Sequence, residues 1–258
     1  MRVRLSNGLS MNYGTRGVGR PVLLLHPVGL KGQFWREVVA ELESECRLIY
    51  PDFRGHGESD VSLSPFSLAD LADDMVEFLR ALVGSALVVG CSMGGMVAQG
   101  MAVRAPDVVS AVVIANTAHL RNDQSRAVME QRAADAEIDL PGVIDVSLAR
   151  WFNAAYQLRN PDKVALMRDW LMNADPRVHA WSWRAIRDLD FASGLRKLSI
   201  PAMAIAGSDD QSTPVAAMKT MVADIPGALY REIDCGHLSP LEKPTAFANH
   251  LREMLARS

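Results

Sequence analysis

A serine stands between two glycines in Gly90-Cys91-Ser92-Met93-Gly94, after the apolar run Ala86 to Val89 and ahead of a segment of helical period from about Met93 to Arg104. Strand, sharp turn and helix are the surroundings in which a G-x-S-x-G elbow exposes a nucleophile. Gly90 and Gly94 flank a turn too tight for a side chain at either place, and the helix start aims unpaired N–H groups at negative charge developing beside Ser92. A serine hydroxyl is a weak nucleophile until a base takes its proton, and the base needs a third group to orient it. His237 is the expected base, because Asp234-Cys235-Gly236-His237 follows the last strand-like run, where a loop can return to the elbow. The orienting acid is expected in Ser208-Asp209-Asp210-Gln211, with Asp210 preferred and Asp209 the alternative, since an Asp in such a loop often caps a turn or a helix instead. Asn116, after the run Val108 to Ala115, occupies another place from which an acid could come, but it carries no charge. Acyl transfer also needs donors for the oxyanion: the N–H of Met93 is one, and because Pro27 has no N–H, Val28 is the expected second in Leu25-His26-Pro27-Val28-Gly29.

Positioning these residues falls to short apolar runs at Val22 to Leu25, Arg47 to Tyr50, Ala86 to Val89, Val108 to Ala115, Ala202 to Ala206 and Leu229 to Ile233. Helical segments alternate with them. Ser67-Leu68-Ala69-Asp70 has the spacing of a capping box, and Leu68, Leu71, Met75, Phe78, Leu79 and Leu82 continue as one stripe. Further helices are expected from about Pro214 to Ile225 and Thr245 to Met254. Alternation of this kind predicts an α/β fold with a mostly parallel twisted sheet flanked by helices. Residues Arg2 to Tyr13, around Asn7-Gly8, instead have the pattern of an antiparallel hairpin. From 118 to 195 no strand-like run occurs, while helical patches carry Trp151, Trp170, Trp181 and Trp183. The expected organisation is a core of residues 1–117 and 196–258, with a helical cap, 118–195, inserted after the sixth strand.

The chain has 258 residues, 49% hydrophobic and 22% charged, enough for one well-buried core. A net charge of -3 offers no basic field for a phosphate backbone, so nucleic acid is not an expected partner. No apolar run approaches the roughly 18 residues of a membrane span, so no membrane partner is expected. No apolar stretch of a secretory signal follows Met1-Arg2-Val3-Arg4, and the cytoplasm is the expected compartment. The three cysteines form no C-x-x-C pair, and H-E-x-x-H, a phosphate-binding loop and a G-x-G-x-x-G strand end are all absent, so neither metal nor cofactor is expected.

With the elbow, the His26-Pro27-Val28-Gly29 loop, Arg54-Gly55-His56-Gly57-Glu58-Ser59, Asp210 and His237 in this order, the chain resembles the α/β-hydrolase fold family over essentially its whole length. Within it the sequence is most similar to the 3-oxoadipate enol-lactonases, through Ala115-Asn116-Thr117-Ala118, Arg150-Trp151-Phe152, Ala185-Ile186-Arg187-Asp188-Leu189-Asp190, His237-Leu238-Ser239 and Glu242-Lys243-Pro244. It departs from them at His26-Pro27-Val28 and Cys91-Ser92-Met93. The resemblance implies a serine hydrolase of a small lactone or ester in aromatic catabolism, with a carboxylate-bearing small molecule as substrate. The alternatives are a C–C bond hydrolase, another carboxylesterase, or a hydrolase-fold protein that binds a ligand with little turnover. A cap arginine is the expected counter-ion, among Arg150, Arg184 and Arg187. Arg184 is the one singled out, as it follows Trp181 and Trp183 on one helix, and His26, Trp151 and Trp181 are the other expected substrate contacts.

Overall fold

Val88 and Val89, and likewise Val112, Val113 and Ile114, are apolar on both sides of their strands, a pattern that only a sheet covered on both faces can bury. In the computed structural model, which describes residues 1–257, they are indeed inaccessible to solvent, within an eight-stranded sheet. Its strands are β1 (Arg2–Arg4), β2 (Ser10–Arg16), β3 (Pro21–Leu25), β4 (Arg47–Pro51), β5 (Ala86–Cys91), β6 (Val109–Ala115), β7 (Ala202–Gly207) and β8 (Leu229–Ile233). Their spatial order is β1-β2-β4-β3-β5-β6-β7-β8. β1 and β2 form the antiparallel hairpin expected around Asn7-Gly8, β2 runs antiparallel to β4, and every later pairing is parallel.

The helices are α1 (Arg36–Leu42), α2 (Leu68–Leu82), α3 (Met93–Arg104), α4 (Asp123–Ile138), α5 (Leu140–Trp151), α6 (Ala154–Arg159), α7 (Pro161–Met172), α8 (Pro176–Arg187), α9 (Ala192–Leu195), α10 (Val215–Ala223), α11 (Ser239–Glu242) and α12 (Pro244–Leu255). α2 begins in the capping box legible in its sequence: Ser67 Oγ accepts from the Asp70 N–H, and the Asp70 side chain accepts from the Ser67 N–H. Such a cap contributes about 1 kcal/mol. The buried stripe of α2 packs beside α3, which lies against β3, β5 and β6. No helix among the described residues is long and apolar enough to cross a membrane.

Between β6 and β7 the chain passes through α4 to α9 with no strand. Entry and exit meet at a narrow neck. Leu120 is bridged to Asp190, the Arg121 N–H donates to the Leu189 carbonyl at 3.1 Å, and the Phe191 N–H donates to the His119 carbonyl at 2.9 Å. Because β3, β5, β6, β7 and β8 are mutually parallel, the loops that leave their carboxyl ends gather along one edge of the sheet. Those loops carry Val28, Ser92, Asn116, Asp210 and His237.

Candidate active site

Ser92 occupies a backbone conformation with φ 55° and ψ −119°, and Asn116, at φ 48°, is the only other non-glycine residue with positive φ among those described. The neighbouring glycines make that conformation possible. A Cβ on Gly90 would fall on the Gly94 carbonyl, and one on Gly94 would fall on the Leu25 carbonyl, so the turn closes against backbone that has nowhere to move. Ser92 Oγ is held out of the turn, 2.9 Å from His237 Nε2. His237 Nδ1 lies 2.8 Å from Asp210 Oδ2 and 3.0 Å from Oδ1. With its proton on Nδ1, the imidazole donates to Asp210 and its Nε2 accepts from the serine hydroxyl, an arrangement that can draw the proton off Ser92.

Asp210 is buried, and burial works against its charge. His237, the Thr213 N–H and the Asn116 side chain outweigh that penalty and hold its carboxyl below the usual range. The Ser212 and Thr213 N–H groups each donate to Oδ1 at 2.8 Å, and Asn116 Nδ2 donates to Oδ2 at 3.2 Å. Asp209, the sequence alternative, is exposed and accepts from Asn153 Nδ2 at 2.8 Å. Asn116 also donates to the Gly236 carbonyl at 3.3 Å and accepts from the Ser239 hydroxyl. The chargeless position thus ties the Asp210 loop to the His237 loop.

Trp151 stacks on His237 with ring centroids 6.1 Å apart and 27° between planes, and its carbonyl accepts from the His237 N–H at 3.0 Å. From the other side Glu242 accepts from the Gly236 N–H at 3.0 Å and the Leu238 N–H at 3.1 Å, bracketing the histidine. Burial pushes the Glu242 carboxyl up, against the pull of those two donors and of His237. Removing it strands two backbone donors at a cost of about 2 kcal/mol. Glu242→Ala is therefore expected to lower Tm by about 5 °C and kcat by about tenfold, with Glu242→Gln recovering part of both. Thermal melts and steady-state kinetics on the two variants check this, and an unchanged kcat in Glu242→Ala would show that the bracket does not position His237.

Ser92 and His237 open into a cavity of about 390 Å³, lined also by Val28, Trp151, Trp183, Met96 and three arginines, Arg121, Arg132 and Arg150. Val28 is buried in its lining, and Met93, as the first residue of α3, has an N–H with no carbonyl one helical turn behind it.

Three of the expected substrate contacts lie elsewhere. His26 is fully buried: its Nε2 accepts from the Phe53 N–H at 3.0 Å and its Nδ1 donates to the Pro27 carbonyl at 2.8 Å. Burial and the neighbouring His56 push its pKa down to about 3, so it stands as a neutral brace between two loops. Trp181 is half-buried edge-on to Phe66, with centroids 6.3 Å apart. Arg184 is bound by Glu130 and Glu137 of α4, at 3.2 and 2.6 Å. Helical geometry explains the last two: residues two apart on a helix stand about 200° apart, and with Trp183 and Ile186 lining the cavity, Trp181, two before Trp183, and Arg184, two before Ile186, face away from it. Of the three arginines considered from the sequence only Arg150 lines the cavity; Arg187 pairs with Glu130 and Asp188. Arg121 and Arg132 escaped sequence reasoning, because nothing local tells which way a long side chain turns from the segment before α4 or from that half-buried helix.

Residues 20–244 match the profile of the alpha/beta hydrolase fold. The chain belongs to the alpha/beta hydrolase fold family. Among similar members is 3-oxoadipate enol-lactonase 2 of Acinetobacter baylyi, 27% identical over 252 residues, covering 96% of this chain and 94% of the relative. The enol-lactonase from Burkholderia xenovorans LB400 superposes with a TM-score of 0.94 at 27% identity, covering 99% of this chain and 100% of that one. A thermophilic esterase from Thermogutta terrifontis, with malate bound, superposes with a TM-score of 0.92 at 26% identity over 100% of this chain and 98% of the other. The lactonases and esterases among its relatives support a carboxylic ester or lactone hydrolase.

Proposed function

We propose that the protein hydrolyses a small lactone or ester bearing a carboxylate, similar to 3-oxoadipate enol-lactone, through an acyl-enzyme on Ser92. One observation carries this reading: the hydrogen-bonded row Ser92, His237, Asp210 opens into the same cavity as Arg121, Arg132 and Arg150. In the proposed cycle Ser92 Oγ attacks the substrate carbonyl while His237 Nε2 takes its proton, and Asp210 stabilises the imidazolium. The N–H groups of Val28 and Met93 receive the oxyanion. His237 returns the proton to the departing oxygen, which for an enol-lactone leaves as an enol and ketonises. Water then attacks the acyl-enzyme with His237 again as base, and the acid is released. The helices between β6 and β7 act as a cap, and their arginines hold the substrate's carboxylate. The lactonase relatives and the malate-bound esterase accord with an organic acid as the ligand.

A lactone acid is compared with its primary amide, which keeps shape and removes charge. The acid is expected to have the larger kcat/KM by about ten- to a hundredfold, the worth of one charge-assisted pair. Arg150→Gln should shrink that ratio. A neutral amide that reacts as fast as the acid would overturn the carboxylate reading.

A further inference from the structure

All three cavity arginines are half-buried, and the cavity wall carries no Asp or Glu. Among the described residues none of the three has an ion pair. The Nε atoms of Arg121 and Arg150 are buried without a hydrogen-bond partner; Arg150 spends one donor on the Gln211 carbonyl at 3.0 Å. Arg132 has its guanidinium carbon over the Trp183 ring, 4.9 Å from its centroid, and makes no hydrogen bond among the described residues.

The outer arginines of the same inserted helices show that this is a local arrangement. Arg126 pairs with Asp188, Arg168 with Asp145, and Arg184 and Arg187 share Glu130. Acids are abundant on these helices and are kept off the cavity wall. Like charges so placed repel, and a largely desolvated guanidinium without a partner is costly. Burial, then Arg150 and Arg121, push Arg132 down to about 10. One carboxylate offers two oxygens and one negative charge, which suits a single planar fork and leaves two cations uncompensated.

We infer that the cavity is built for a dianion, an ester or lactone that carries two carboxylates besides the carbonyl that is cleaved. The inference rests on the reading of the site as a hydrolase of carboxylate-bearing substrates. Two carboxylates engage the three forks together, with Arg132, over the Trp183 ring, shared between them.

Two measurements on the wild-type protein test it. The first compares 4-nitrophenyl butyrate with the 4-nitrophenyl monoesters of glutaric acid and of propane-1,2,3-tricarboxylic acid, which carry none, one and two free carboxylates. The kcat/KM is expected to rise at each step, with the diacid at least tenfold above the monoacid, and Arg132→Gln should bring that last ratio close to one. The second needs no turnover: the rise in Tm with glutarate is compared with that from butyrate at matched ionic strength, and glutarate should stabilise more. A monoacid that equals the diacid, or equal stabilisation by glutarate and butyrate, overturns the dianion inference and leaves the carboxylate reading standing. A neutral ester that reacts best overturns both. If no ester turns over, the thermal shifts decide alone.

Discussion

Ser92→Ala and His237→Ala are each expected to lower kcat by about 10⁵- to 10⁶-fold while the fold stays intact, and the double variant should lose little more, because a nucleophile and its base fail as a unit. Ser92 Oγ and His237 Nε2 are 2.9 Å apart, and among the described residues no other base is hydrogen-bonded to that hydroxyl. Alanine keeps the Cβ that already sits at φ 55°, so the strained turn is neither relieved nor worsened in Ser92→Ala. Circular dichroism and melting curves establish that the variants fold, and kinetics at saturating ester give the loss. Covalent labelling by a fluorophosphonate, which requires an activated serine, should occur in the wild type and vanish in Ser92→Ala. A variant that keeps about one per cent of kcat would remove either residue from the role proposed for it.

Next in size is the contrast between two adjacent carboxylates. Asp210→Asn should cost about 10³ to 10⁴ in kcat, whereas Asp209→Asn should stay within a few-fold of wild type. Asp210 accepts from His237 Nδ1 and from two backbone N–H groups at 2.8 Å. An asparagine there must either turn its amide nitrogen toward those donors or offer it to the imidazole, which favours the tautomer with the proton on Nε2, facing Ser92. Asp209 makes its shortest side-chain contact with Asn153, so its loss disturbs the start of α6 rather than the histidine. Parallel kinetics on both variants settle the ranking, and the opposite order would exchange the roles of the two residues.

How much of this could be read from the sequence depended on whether the signal was local. The Ser67 capping box, the hairpin at Asn7-Gly8 and the apolar run Ala111 to Ala115 in β6 are short-range patterns, and each forms the element its residues imply. Ser92, Asp210 and His237 are far apart in the chain, yet each lies just past a parallel strand, so the order of strands alone suffices to bring them to one edge. The first helical turn, Gly32–Trp35, and α1 carried no clear period and were not foreseen. Substrate contacts were the weakest part. Whether an arginine meets a cavity or a glutamate depends on what another helix places opposite it, and α4 supplies Glu130 and Glu137 to Arg184 while turning Arg132 inward. His26 was misread for a related reason: a ring with two usable nitrogens beside a nucleophile can serve substrate or backbone, and here the Phe53 N–H and the Pro27 carbonyl take both.

The neck at Leu120 and Asp190 bears on how such a protein can diverge. A segment whose ends already touch can grow, shrink or be exchanged with little effect on the scaffold it leaves, because closing a loop of twice the length costs only about 0.6 kcal/mol more. Ser92, Asp210 and His237 lie outside that segment, while Arg121, Arg132 and Arg150 lie within it. Under the proposed reading, the machinery that breaks a bond and the surface that chooses which molecule is broken are inherited as separate pieces. After gene duplication, one copy could acquire a different diet by trading a single continuous stretch of chain, with its hydrolytic apparatus untouched.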